Sequence, residues 1–455
     1  MIIEKASFRD YHSIIVYEND AIKRLLHKDY LPHYLKLINS GLYNRLIEKN
    51  FLVTHQENTS NLKPDYPIEL VPKRVPFISY PYEWTFNQLK EAALLTLEIN
   101  RIALEYGMIL KDASAFNIQF IGSNPVFIDT TSFVKYEEGH VWMAYQQFCR
   151  HFLAPLALSY YGDIQLRKLI LSNIDGISLD LCKKILPLKS YFNSGIFIHI
   201  WLNSLGQKLT KRQRENKKLF YTQSKQKLLS VQEHLFSTLK SLNSQNDKSQ
   251  WSDYYENTNY TKNDYTQKEK YLLSMTKLLN VSSILDLGAN EGRYSRLLSK
   301  QVSFVLSTDY DEIAIAKNYN IAKEEAIENL LTLHLNIVNP TPAIGFANQE
   351  RKSFLERVGV DLVLVLALVH HLTITHDLSF EQLAEQLSKM GKNLIIEFPP
   401  RVDEKVIIIA QGKPNQYQNY HRENFESAFG KFYHLKSSQT IHGNNRILYC
   451  YERKV

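Results

Sequence analysis

Two groups of residues in this chain have types and spacing suited to chemistry. The first lies in "LKDASAFNIQFIGSNPVFID", Leu110 to Asp129, where Asp112 is followed by Asn117 and, after an apolar stretch, by Asp129. Phosphoryl transfer needs a carboxylate near the acceptor hydroxyl, with an amide and a second carboxylate holding magnesium against nucleotide phosphates. Asp and Asn are also turn formers, so each could simply bond local backbone. The second group lies in "ILDLGANEGRYSRLL", an apolar run that turns through Gly288-Ala-Asn290-Glu-Gly292 into a helix. Glycines at such a turn let a ligand approach the backbone, and the helix N-terminus offers free N–H groups. A dinucleotide would want GxGxxG around its pyrophosphate. Here the spacing is GxxxG, and Asp286 just before it would repel a pyrophosphate but suits an ammonium. Asp309, 21 residues beyond Gly288, stands where an acid accepts hydrogen bonds from ribose hydroxyls. An ammonium partner and a ribose partner without a phosphate cradle specify S-adenosylmethionine better than a dinucleotide.

The elements that must position these residues separate into three regions. Residues 1–154 mix β-like stretches ("HSIIVY", "IELVPKRVPFISY", "IQFIG", "PVFID") with helices. The clearest helix is "TFNQLKEAALLTLEINRIALEYG", with Thr85 as N-cap and Gly107 at its end. Residues 155–245 read as helical, and turn basic at Lys208–Lys218, a solvated face or an RNA-binding stretch. Residues 251–455 alternate strands with helices, which argues for a parallel sheet covered on both faces. The final "KFYHLKSSQTIHGNNRILYCYER" predicts a hairpin turning at Gly443–Asn444 and adding an antiparallel edge.

Composition narrows the class. The 455 residues suit two or three domains, and 44% apolar with 22% charged residues is globular. A net charge of +7 permits an acidic partner without demanding nucleic acid. Cys149, Cys182 and Cys450 are widely spaced with no CxxC, which fits a reducing compartment. The N-terminus lacks a signal-peptide pattern, and the longest apolar run, Leu362 to Val369, is too short to span a bilayer. A cytoplasmic protein is expected.

"ILDLGANEGRYS" resembles the first motif of class I SAM-dependent methyltransferases, and "STDYD" the second. The resemblance implies cofactor contacts from Asp286, Gly288, Asn290, Gly292 and Asp309. Tyr310 or Asp311 would edge the adenine, or face solvent as a turn. Asn336 in "HLNIVNP" holds the position of the family's adenine-contacting polar residue. "VDLVLVLALVHHL" resembles the fourth motif, which borders the transfer site. His370 or His371 could serve there as general base, or pack beneath the loop. Glu397 in "IIEFPP" could hold an acceptor group or cap the next turn. Trp251, Tyr254, Tyr260 and Tyr265 could form an aromatic lid, or pack the lead-in helix on the sheet.

The first group resembles a divergent protein-kinase or aminoglycoside-phosphotransferase fold. That resemblance implies Asp112 near an acceptor hydroxyl, Asn117 and Asp129 on magnesium, and Lys23 of "DAIKRLL" on ATP. Leu110-Lys111 replaces the usual pair before the Asp, Asp129-Thr-Thr replaces Asp-Phe-Gly, and no glycine-rich loop precedes Lys23. The segments "YPYEWTF", "LKDASAFNIQF", "PVFIDTTSF", "LALVHHL" and "IIEF" together resemble a bacterial two-part methyltransferase family that includes nodulation protein NoeA-like members. The expected fold is therefore α/β: a Rossmann-like class I methyltransferase sheet preceded by an α+β kinase-like domain and a helical segment. The expected activity is methyl transfer to a small-molecule or saccharide acceptor, with the kinase-like part binding or preparing it. A bifunctional kinase–methyltransferase and a non-catalytic binding protein are the alternatives.

Overall fold

A computed structural model describes residues 2–19, 21–60, 63–205, 223–244 and 262–454. The basic stretch Lys208–Lys218 and the aromatics Trp251, Tyr254 and Tyr260 lie outside the described residues. The chain divides into two compact units. Unit 1 comprises residues 1–120, 125–245 and 343–351; unit 2 comprises 121–124, 246–342 and 352–455.

Unit 1 begins with a small antiparallel sheet. Its strands are β1 (Ile2–Ile3), β2 (Ser13–Glu18), β3 (Ala21–Leu26), β4 (His55–Asn58) and β5 (Ile68–Pro72), in the order β1-β2-β3-β5-β4. The β5 strand is shorter than "IELVPKRVPFISY" predicts: it ends at Pro72, since proline cannot donate to a ladder. Leu26, Tyr30, Tyr34, Ile68 and Leu70 form a local core beneath this sheet. Helix Phe86–Glu105 follows, started by Thr85, whose hydroxyl accepts from Gln88 N–H, and ended where Gly107 takes a left-handed φ of +71°. Beyond it, β6 (Met108–Leu110), β7 (Ile118–Ile121), β8 (Asn124–Phe127) and β9 (Phe133–Lys135) frame the Asp112–Asp129 loop, with β6 pairing β9 and β7 pairing β8. Residues 145–202 are mainly helical and include two π-helical turns, Cys149–Leu153 and Phe197–Leu202. The unit thus combines a small antiparallel sheet, a long helix, a loop between short strand pairs and a helical remainder.

Unit 2 is built on a seven-stranded sheet. Its strands are β10 (Ser283–Leu287), β11 (Phe304–Asp309), β12 (Leu330–His334), β13 (Val360–Val365), β14 (Gly391–Phe398), β15 (Tyr433–Thr440) and β16 (Ile447–Arg453). Their order is β12-β11-β10-β13-β14-β16-β15. The first five run parallel, and β16 is antiparallel to both of its neighbours. The near-continuous apolar runs of β10, β11 and β13 reflect burial on both faces. The terminal hairpin forms, but its reversed strand is not the edge: β16 inserts beside β14 and leaves β15 outermost. Strand order reverses between β10 and β13, and ligands of open α/β sheets bind at such a switch point.

Candidate functional site

At the carboxyl ends of β10 and β11 the sequence motif becomes a compact loop. Gly288, Asn290 and Gly292 all have left-handed φ, at +71°, +52° and +73°. At Gly292 a Cβ would sit 2.0 Å from the buried Asn318 side chain, so a larger residue meets both strain and collision. The N–H groups of Gly288 and Ala289 both donate to Thr308 O, which folds the loop back over β11. Asp309 accepts from Asn290 N–H at 2.7 Å and from Asp311 N–H at 2.8 Å. Asp286 accepts from Ser295 Oγ at 2.5 Å, and that hydroxyl also lies 2.9 Å from Ser307 Oγ. Burial is the main force on both acids. It pushes Asp286 up to about 7 against the Ser295 bond. It pushes Asp309 up to about 6 against the two backbone N–H bonds.

The residues around this loop differ in their surroundings. Tyr310 is 52% exposed at the end of β11, and its carbonyl accepts from His334 Nε2 at 2.8 Å. Asp311 is buried and caps helix Glu312–Glu324 by accepting from Ile313 and Ala314 N–H. Asn336 is exposed just past β12, its Oδ1 accepting from Val338 N–H at 3.0 Å.

After β13 the chain turns at Ala367, whose φ is +50°, and enters the π-helical turn His371–Thr375. The rings of His370 and His371 lie 4.3 Å apart. His370 is 2% exposed and its Nδ1 is buried without a partner among the described residues. Burial holds its imidazole well below the usual range and drives that of His371 down to about 4, so both are neutral near pH 7.

Glu397 is turned inward, and its oxygens meet internal partners. It is 0% exposed, accepting from Lys268 Nζ at 2.5 Å, from Ala367 N–H at 3.0 Å and from Arg446 Nη1 at 3.3 Å. Arg446 also makes a two-pronged contact to Asp403, at 2.7 and 3.1 Å. Lys268 comes from helix Lys262–Leu279 and lies 4.7 Å from the Tyr294 ring centroid. Tyr265, on the same helix, is covered by the Arg293 guanidinium at 4.4 Å.

In unit 1 the Asp112–Asp129 loop gathers its groups differently from the expectation. Asp112 Oδ1 accepts from Ser114 N–H at 2.8 Å, the local turn that Asp favours. Burial and then the neighbouring Asp129 charge raise its pKa. Asn117 Nδ2 donates to Ser132 Oγ at 3.3 Å, and Ser132 donates in turn to Asp129 Oδ2 at 2.5 Å. The cation on Asp129 is Arg24. Burial would raise the Asp129 pKa, but Arg24, Ser132 and Thr131 outweigh it and the net shift is downward. Lys23 instead pairs with Glu18 at 2.8 Å and Glu69 at 3.3 Å. The reason is the pleat: adjacent residues on β3 point to opposite faces. Arg24 also donates to Thr131 Oγ1 at 2.7 Å, and Thr131 donates to Asp10 at 2.8 Å. Lys111 Nζ lies 2.6 Å from His12 Nδ1 and 3.5 Å from Asp10. These donors do not fit magnesium and ATP. A guanidinium already neutralises Asp129, and the Asn117 amide is turned to a hydroxyl.

The strand order and the glycine turn define a class I methyltransferase by fold. Residues 249–377 match the family model described as tellurite resistance protein TehB. The nodulation protein NoeA of Rhizobium meliloti (strain 1021) is 32% identical over 384 residues, covering 83% of this chain and 80% of that protein. The chain belongs to the NoeA family. Among solved structures, the N-methyltransferase NodS from Bradyrhizobium japonicum WM9 is 12% identical with a TM-score of 0.32, covering 43% of this chain and 98% of its own. The bifunctional kinase-methyltransferase WbdD is 16% identical with a TM-score of 0.32, covering 44% of this chain and 41% of its own.

Proposed function

We propose that the protein is a SAM-dependent methyltransferase acting on a small-molecule or saccharide acceptor. The observation that carries this reading is the Asn290 N–H bond to Asp309 at 2.7 Å, which joins the glycine turn and the second acid at one sheet edge. S-adenosylmethionine supplies an electrophilic methyl group on a sulfonium. In this reading Asp286 holds the ammonium and Asp309 the ribose hydroxyls, while Tyr310 and Asn336 border the adenine. Positioning for in-line displacement supplies most of the rate. His370 or His371, neutral through burial, accepts the acceptor's proton as the new bond forms. Glu397 acts indirectly, by fixing the Ala367 turn that leads to both histidines.

Residues 1–154 with their helical continuation 155–245 form, in this proposal, a kinase-like part that binds the acceptor, and residues 251–455 form the methyltransferase domain. The Arg24–Asp129 pair favours binding over phosphotransfer. Calorimetry with SAM on the wild type and on Asp309→Ala tests the site. Saturable binding by the wild type and a loss of at least tenfold in the variant are expected. Equal binding by both overturns the ribose assignment.

A further inference from the structure

One group of cations in unit 1 is left unanswered by its surroundings. It collects around Phe116, the residue before Asn117. Arg9 is fully matched: Glu350 takes its Nε at 2.5 Å and Nη2 at 3.1 Å, and Asp175 takes its Nη1 at 2.8 Å. Both local carboxylates are thereby spent on one guanidinium. The other two arginines make do with carbonyls. Arg351 donates from Nη1 to Glu350 O at 3.0 Å, and Arg150 from Nη2 to Gly176 O at 3.4 Å. The Nε atoms of both are buried with no partner among the described residues, and so is Nδ1 of His151. His151 is 2% exposed.

These groups share one neighbourhood. The Arg351 guanidinium carbon lies 4.5 Å from the Phe116 ring centroid, and the His151 ring lies 6.0 Å from that ring. Arg9 and Arg150 both meet the turn holding Asp175 and Gly176. A Cβ at Gly176 would touch Arg150 at 2.8 Å and His151 at 2.9 Å, so that turn sits directly against the pair. Three arginines against two carboxylates leave an excess positive charge. Burial, followed by the nearby arginine charges, drives the His151 imidazole down to about 3, so it is neutral and can present Nδ1–H. Water could satisfy the nitrogens, but it would leave the buried charge uncompensated.

We infer that Arg150, His151 and Arg351 form a binding site for an oxyanion group beside Phe116, with Arg9 as the supporting cation. A guanidinium fork matches a phosphate or carboxylate in two parallel bonds, which a point charge cannot do. Neither tightly bound metal nor methyl transfer is required for this binding, so its test is independent of the SAM site. The ligand class is an acidic small molecule: a sugar phosphate or a uronic acid.

Titration of full-length protein with inorganic phosphate at constant ionic strength, followed by phosphorus line width and calorimetry, tests the site. Saturable binding is expected, weakened about tenfold by Arg150→Met or Arg351→Met and abolished by the double variant. Arg351→Lys keeps the charge but loses the fork, and falls between wild type and Arg351→Met. Competition by glucose 6-phosphate indicates a phosphorylated ligand, and competition by glucuronate a uronic acid. No saturable binding by the wild type overturns the site, as does equal binding by the wild type and a folded double variant.

Discussion

Asp286 and Asp309 carry a pH dependence whose sign follows from their burial. In the free protein Asp286 is pushed up to about 7 and Asp309 to about 6. A cationic ligand prefers the ionised carboxylate and lowers its pKa, so binding releases a proton below pH 7. SAM affinity should be level above that pH and fall as pH drops, approaching about tenfold per unit for each group. Calorimetry across about pH 5.5 to 8 measures this, and Asp286→Asn should leave only the break near 6. A flat profile in the wild type excludes Asp286 as the ammonium partner. At this scale the sequence is readable where chemistry depends on neighbours in the chain. Asp286 lies near the end of β10, Gly288 and Gly292 in the turn that follows it, and Asp309 ends the adjoining strand. Lys23 and Arg24 show the opposite case. Both are long cations on one strand, and only the parity of the pleat, set by pairing with β2 and β5, decides which one meets Asp129.

Helix Lys262–Leu279 and strand β14 are tied together by a buried ion pair, Lys268 with Glu397 at 2.5 Å. Removing Lys268 leaves the buried Glu397 charge with only the longer Arg446 contact, at 3.3 Å, to offset it. Lys268→Met should therefore cost about 3 kcal/mol of stability. Adding Glu397→Gln should restore part of that loss, because the stranded charge is gone. Denaturant unfolding of the two single variants and the double variant checks this. Strictly additive losses would mean that the pair does not couple the two elements. The strands themselves were legible, because fully buried parallel strands must be apolar runs and these stand out between helices. The Lys268 contact was not. Its partner Glu397 lies far along the chain, and helical spacing alone does not distinguish a snorkelling lysine from a buried one.

Unit 1 as a whole meets its Asp129 segment with a cation of its own, Arg24. Arg24, Asp10 and Lys111 link its antiparallel sheet to the Asp129 segment directly. The wild type should accordingly show no magnesium-dependent ATP binding in a fluorescent-nucleotide titration. Binding that requires magnesium and disappears in Asp129→Ala would overturn this reading. Among the described residues, no helix is long and apolar enough to cross a membrane. Asp112, Asn117 and Asp129 stand out in the sequence by type and spacing, and the fold brings them into one neighbourhood. Asp112 and Asn117 bond to nearby Ser114 and Ser132, but the cation on Asp129 comes from Arg24, 105 positions earlier, and local spacing carries no record of that.

The short segment 343–351 has a consequence for how the protein is made. It belongs to unit 1, yet it is encoded about a hundred residues after the rest of that unit ends at residue 245. Synthesis at roughly 5–20 residues per second places it about 5–20 s behind. Until then Arg9 lacks Glu350, and the oxyanion group lacks Arg351. A ribosome-bound chain ending near residue 250 therefore carries an unfinished first unit, and gene fragments cut at that point would inherit the same deficit.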